Sequence, residues 1–165
     1  MRVDESVSPA AHRAALAAAL EAGRVDNRFH YVDDLAAARW RALAAAHSPA
    51  RDDADGLVAY ERAAATAIRA LPPGPVHVVG LACGDGVKER RLLGAMAATG
   101  RTGLAATPVD VSVPLVTAAA EAMGAVPGVD AAHAVAADLL GAADLPGLLQ
   151  PRRPGTRVVT LFMRA

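Results

Sequence analysis

Val76-His77-Val78-Val79-Gly80-Leu81-Ala82-Cys83-Gly84-Asp85-Gly86-Val87-Lys88-Glu89-Arg90-Arg91-Leu92-Leu93 reads as a buried strand, a tight Gly84-Asp85-Gly86 turn and an amphipathic helix. That sequence of elements opens an α/β domain of the nucleotide-binding kind. Glycine in such a turn lets the backbone approach a ligand closely, and the helix start aims free N–H groups at it. The motif Ala82-x-Gly84-x-Gly86 is a weak signal by itself, because many strand-to-helix turns use glycine for geometry alone.

Outward from this stretch the chain divides at Leu71-Pro72-Pro73-Gly74-Pro75, a stiff breaker. Residues 1–71 form a helical region. Ser8-Pro9 supplies an N-cap followed by proline in the first turn, and Gly23 supplies a stop. A second helix starts at Asp33 or Asp34 and runs to about Ala46. Its Leu35, Arg39, Trp40, Leu43 and His47 fall at helical spacing, with Trp40 and Leu43 on the core-facing stripe. Asp52 or Asp53 caps a third helix that aligns Leu57, Tyr60, Ala64, Ile68 and Leu71. The alanine runs suit helices, since alanine is the best helix former.

Residues 76–165 alternate strand and helix. Val76–Ala82, Leu104–Val111, Ala132–Ala137 and Arg157–Phe162 read as four strands. Lys88–Thr99, Pro114–Met123 and a short segment near Leu139–Leu149 read as helices. The expected fold class is therefore α/β, with N-terminal helices followed by a partial Rossmann-like parallel sheet of about four strands flanked by helices.

The 165 residues suffice for about one domain, and an apolar fraction of 53% supports a core. Only 3% of residues are aromatic, so alanine carries much of that core and association would help complete it. Lys plus Arg balances Asp plus Glu at 17 each, which leaves no global field to favour nucleic acid or an anionic membrane. No signal peptide or membrane-length apolar run is evident. Cys83 is the only cysteine, so no intramolecular disulfide can form, and a cytoplasmic setting is expected. His12, His30, His47, His77 and His133 show no metal-ligand spacing. No zinc, Ser/His/Asp or paired-carboxylate constellation is apparent, so no metal is expected and no residue is singled out as catalytic.

Two carboxylates strengthen the turn. Asp110 ends the second strand, where it can accept both hydroxyls of a ribose; as a strand-end aspartate it can equally cap the helix after Ser112. Asp138 ends the third strand in the same register.

The segments Val-Gly-Leu-Ala-Cys-Gly-Asp-Gly-Val-Lys (79–88), Thr107-Pro108-Val109-Asp110-Val111-Ser112 and Ala136-Ala137-Asp138-Leu139 together resemble the histidine-specific family of class I S-adenosylmethionine-dependent methyltransferases, which includes the ergothioneine-pathway enzymes. Arg28-Phe29-His30-Tyr31 and His47-Ser48-Pro49-Ala50-Arg51-Asp52-Asp53 are similar to segments before that family's sheet. The resemblance implies S-adenosylmethionine as cofactor, held among Gly80, Ala82, Gly84, Gly86, Lys88, Asp110, Val111, Asp138 and Leu139. In that scheme Gly84 and Gly86 underlie the methionyl part, Lys88 pairs with its carboxylate, Asp110 holds the ribose and Asp138 the adenine amino group. The N-terminal helices would cover a small-molecule substrate, with Tyr31 and His47 toward it. Transfer would depend on aligning donor and acceptor rather than on an acid–base pair.

The chain departs from the family pattern in four places. Gly80 replaces an acidic residue, Ala82 replaces the first motif glycine, and His47-Ser48-Pro49-Ala50-Arg51 replaces Tyr-Tyr-Pro-Thr-Arg. The family also continues past the fourth strand. The expectation is then an open edge at Val158-Val159-Thr160-Leu161-Phe162 that pairs with a second copy or a complementing subunit. Two readings stay open: a methyltransferase of a small amino-acid-like or amine substrate whose site is completed by association, and a non-catalytic cofactor-binding or regulatory subunit. A dinucleotide-dependent reductase fits the Gly spacing and Lys88 less well.

Overall fold

The computed structural model describes residues 1–48, 53–150 and 155–161. Pro49, Ala50, Arg51, Asp52 and Phe162, which carry expectations above, lie outside the described residues. The chain is α/β, with flanking helices and a parallel, Rossmann-like sheet of six strands.

Strands β1 (Arg2–Val3), β2 (Val76–Leu81), β3 (Leu104–Asp110), β4 (Val129–Ala132), β5 (Val135–Ala136) and β6 (Thr156–Leu161) run in the order β1-β5-β3-β2-β6, with β4 beside β3. Central β2 is paired along its whole length, to β3 from Val76↔Leu104 to Leu81↔Val109 and to β6 from Val76↔Thr156 to Leu81↔Leu161. β4 pairs with the first half of β3 and β5 with its end, so they are one expected strand interrupted at His133-Ala134. β1 was not expected. A two-residue strand carries no periodicity to read, yet it adds the N-terminus to the far edge of the sheet through Arg2↔Val135 and Val3↔Ala136. The 1–71 region is thus stitched into the sheet of the 76–165 region.

The helices are α1 (Pro9–Glu21), α2 (Asp34–His47), α3 (Ala54–Ala70), α4 (Val87–Ala98), α5 (Val113–Gly124) and a single turn, α6 (Leu145–Leu148). Capping side chains define four starts besides that of α6, where Asp144 accepts from the Gly147 N–H. Ser8, Asp33 and Ser112 each accept a backbone N–H three residues on, and Asp53 accepts from Asp55 and Gly56. Each such cap contributes roughly 1 kcal/mol. The α6 turn is all that forms of the helix expected near 139–149, because Pro146 and Gly147 interrupt helix propagation.

Alternation along β2 divides the core between two faces. Val76 and Val78 pack with Leu92, Leu93 and Met96 of α4 and Ala119 and Met123 of α5. On the other face Val79 packs with Val109, Val135 and Ala137, beneath Leu139, Ala142 and Leu148. The α3 stripe is as expected, with Ala64, Ile68 and Leu71 against the first face. The α2 stripe differs. Leu35 and Leu43 are largely exposed, and Ala37 is the residue that buries.

Candidate functional site

A cleft of about 310 Å³ opens at the C-terminal ends of β2, β3 and β5. That is where parallel α/β sheets bind ligands, because strand-to-helix loops gather helix starts and free N–H groups there. Ala82, Gly84, Lys88, Asp110, Val111, Asp138 and Leu139 all line it, together with Tyr31.

The turn after β2 builds the floor. Gly84 has φ +57, and a Cβ added there would lie 2.5 Å from the Trp40 ring. Glycine is thus required both by the left-handed backbone and by the indole seated on it. Ala82 also adopts a left-handed φ of 49, alone among the described non-glycine residues. It occupies the position where the resembled family has glycine, and it keeps the glycine-like backbone at a steric cost of about 1–2 kcal/mol.

Asp110 ties the turn to the next strand. Its Oδ2 accepts the Gly84 N–H at 2.8 Å and its Oδ1 accepts the Ser112 N–H at 3.0 Å. The carboxyl is buried, and that burial pushes its pKa up against the opposing pull of backbone N–H groups. The bracing bonds leave part of the carboxylate's acceptor capacity for the cleft that Asp110 lines.

Asp138 is engaged from the N-terminal segment. Arg28 Nη1 donates to its Oδ2, the Leu140 N–H donates to its Oδ1, and the Asp138 N–H donates to Ser6 Oγ. Arg28 also lies 4.9 Å from the Phe29 ring centroid and close to Asp26. Lys88, in the first turn of α4, lies with its Nζ 5.6 Å from the Tyr60 ring centroid. Tyr31 packs edge-on against Trp40 at 6.4 Å between centroids. Burial and the Asp110 charge both raise its phenol pKa, which keeps the hydroxyl protonated.

Three expected residues lie elsewhere. His47 is exposed on the last turn of α2, and Ser48 lines the cleft beside it. Gly86 begins α4, where a Cβ would meet Ala119 of α5 at 2.9 Å, so it serves helix packing. Gly80 makes room for the Glu89 side chain, whose Cγ would lie 2.7 Å from an added Cβ. The space beside Gly80 is thus filled by a carboxyl from α4. Glu89 is 1% exposed, and burial pushes its pKa up to about 7.

Arg28, Trp40, Cys83 and Leu115 line the cleft without having been assigned to it from sequence. Arg28 stands within the Arg-Phe-His-Tyr segment quoted above, but nothing local signals its partner 110 residues away. Cys83 is a poor nucleophile, because burial and then Asp110 and Glu89 raise its thiol pKa well above the ordinary value. Among the described residues no cluster of three His, Cys, Asp or Glu is placed to hold a metal. No described helix is long and apolar enough to cross a membrane.

The arrangement can hold a polar ligand end to end. Lys88 lines the turn end, Asp110 offers a carboxylate in the middle, and Asp138 with Arg28 forms a mixed wall at the far end. No known family model matches this chain, and no curated protein or solved structure matches it significantly either.

Proposed function

We propose that the protein binds S-adenosylmethionine in this cleft and is methyltransferase-like, acting on a small amino-acid-like or amine substrate. The carrying observation is the convergence of Gly84, Lys88, Asp110 and Asp138 on one cleft from the ends of neighbouring parallel strands. The residues suit a nucleoside with an amino-acid tail. Lys88 would hold the tail carboxylate, Asp110 the ribose hydroxyls and Asp138 the adenine amine, with Ala82, Val111 and Leu139 as apolar walls. When bound, the cofactor supplies an electrophilic methyl group. The protein's part is then to orient the acceptor under Tyr31 and Trp40 and to exclude water.

A second reading, a non-catalytic cofactor-binding or regulatory subunit, is favoured by a different observation. The N-terminal segment already engages the cleft, with Trp40 on Gly84 and Arg28 on Asp138. Either reading leaves β6 as an edge, since among the described residues it pairs only with β2. Self-association or a complementing subunit at that edge belongs to the proposal, as does a cytoplasmic setting in which Cys83 stays reduced.

Calorimetric titration with S-adenosylmethionine and S-adenosylhomocysteine tests the site. Binding at micromolar to submillimolar affinity that Lys88→Ala and Asp110→Asn both weaken supports it. Failure of both ligands to bind the folded protein removes the assignment. Binding without turnover on any amine selects the regulatory reading.

A further inference from the structure

A second cavity, of about 240 Å³, lies under the opposite face of the sheet from α4 and α5. It is remote from the glycine turn. His77 sits in its wall between Val76 and Val78, so its side chain projects to the other side of β2 from theirs. The imidazole is 8% exposed. Its Nε2 pairs with Thr107 Oγ1 at 2.8 Å, while its Nδ1 is sealed from solvent without a hydrogen-bond partner. A buried polar nitrogen left unpaired costs on the order of 1–3 kcal/mol.

The groups around it share one electrostatic character. Arg2 of β1, His133 between β4 and β5, and Gln150 line the cavity with His77 and Thr107, and no described lining residue is Asp or Glu. Arg157 of β6 pairs in register with His77. On β4, Asp130 is exposed and outside the lining. The Arg2 guanidinium donates to the Gly147 and Leu148 carbonyls and so fixes the α6 turn beside the cavity. Alanines 105, 131 and 134 form a floor that leaves room for a guest.

We propose that this cavity is a separate ligand site for a small oxyanion, a carboxylate or a phosphate, anchored by His77 and Thr107 within a ring of basic side chains. The free site disfavours a charged imidazole: burial, then Arg157 and His133, hold the His77 pKa below its ordinary value. An anion in the cavity reverses that balance by offsetting the surrounding positive charge and favouring the imidazolium. The proposal does not rest on the cofactor assignment.

The test is an NMR titration of the histidine ring protons on the full chain, in chloride, inorganic phosphate or acetate at matched ionic strength. The expected result is a His77 midpoint raised by about one unit, a tenfold gain in proton affinity, with exposed His30 unchanged. A response to phosphate alone identifies a phosphate site; a response to both anions identifies a general oxyanion site. Thr107→Val should remove most of the shift, and His77→Phe should remove anion-dependent changes at His133. A wild-type His77 midpoint that ignores both anions, or that moves only in step with His30, overturns the proposal whether or not either variant folds.

Discussion

Arg28 and Asp138 stand 110 residues apart in the chain and meet in the cleft wall, the guanidinium Nη1 on the carboxylate Oδ2. Both side chains are mostly shielded from water, at 28% and 13% exposure. The pair therefore holds the N-terminal segment against the end of the third strand position, and it also occupies the carboxylate proposed for adenine. Arg28→Ala should lower stability by about 1.5–3 kcal/mol, the range for hydrogen bonds to charged groups. It should also tighten S-adenosylhomocysteine binding by roughly three- to tenfold, because a charge-assisted bond no longer competes for Oδ2. Asp138→Asn should weaken binding. Calorimetry on both variants checks this, and weaker binding by Arg28→Ala would make the guanidinium a ligand contact instead.

Ala82→Gly should stabilise the protein. The left-handed φ of 49 costs alanine about 1–2 kcal/mol, and the added chain entropy of glycine returns about 0.5–1 kcal/mol of that. Ala82 is exposed, so little packing is lost. The net gain should be about 0.5–1 kcal/mol, visible as a higher melting temperature. A lower one would show that the methyl group has a packing role.

Glu89 makes stability fall as pH rises. Its carboxyl ionises near 4.5 when unfolded and at about 7 when folded, so between these values unfolding releases a proton and alkali favours the unfolded chain. The contribution is fully present below pH 4.5, and its loss amounts to about 3 kcal/mol above 7. Thr160 Oγ1 lies within hydrogen-bond distance of both Glu89 Oε1 and the Val79 carbonyl. One hydroxyl proton cannot serve both acceptors, and a protonated Glu89 completes the chain by donating to Thr160. Glu89→Gln should match the wild type near pH 5 and exceed it at pH 8 in urea denaturation. Parallel pH profiles for the two proteins would refute this.

The β6 edge gives a test of association. Val159 is 55% exposed on this strand. A lysine there opposes edge-to-edge pairing while changing the isolated fold by no more than about 0.5 kcal/mol. Sedimentation at micromolar concentration should find the wild type associated and Val159→Lys monomeric. A monomeric wild type removes self-association and leaves only the complementing-subunit form.

Short-range chemistry made much of this molecule legible. Ser8 and Asp33 announce helix starts, valines announce β2, and the Leu57–Leu71 stripe has the right period. Features set by distant partners were not legible. Trp40 looked like a core residue by spacing, but its ring covers Gly84, and Ala37 does the burying on α2. Gly80 looked like part of the ligand site, yet its missing side chain serves Glu89. The interruption at His133-Ala134 was hidden because the surrounding alanines fit a strand, a turn or a helix without distinctive pattern. Asp110 braces the Gly84 turn and the Ser112 N–H at once, a double role set by the fold of two separate loops.

The first strand has a consequence for how the molecule comes into being. Ser6 receives the N–H of Asp138, 132 residues later, and β1 closes on β5 just before it. Residues 2–6 can meet their sheet partners only after residues 134–138 have been made, so this outer edge of the sheet closes late. Such long-range closure slows folding.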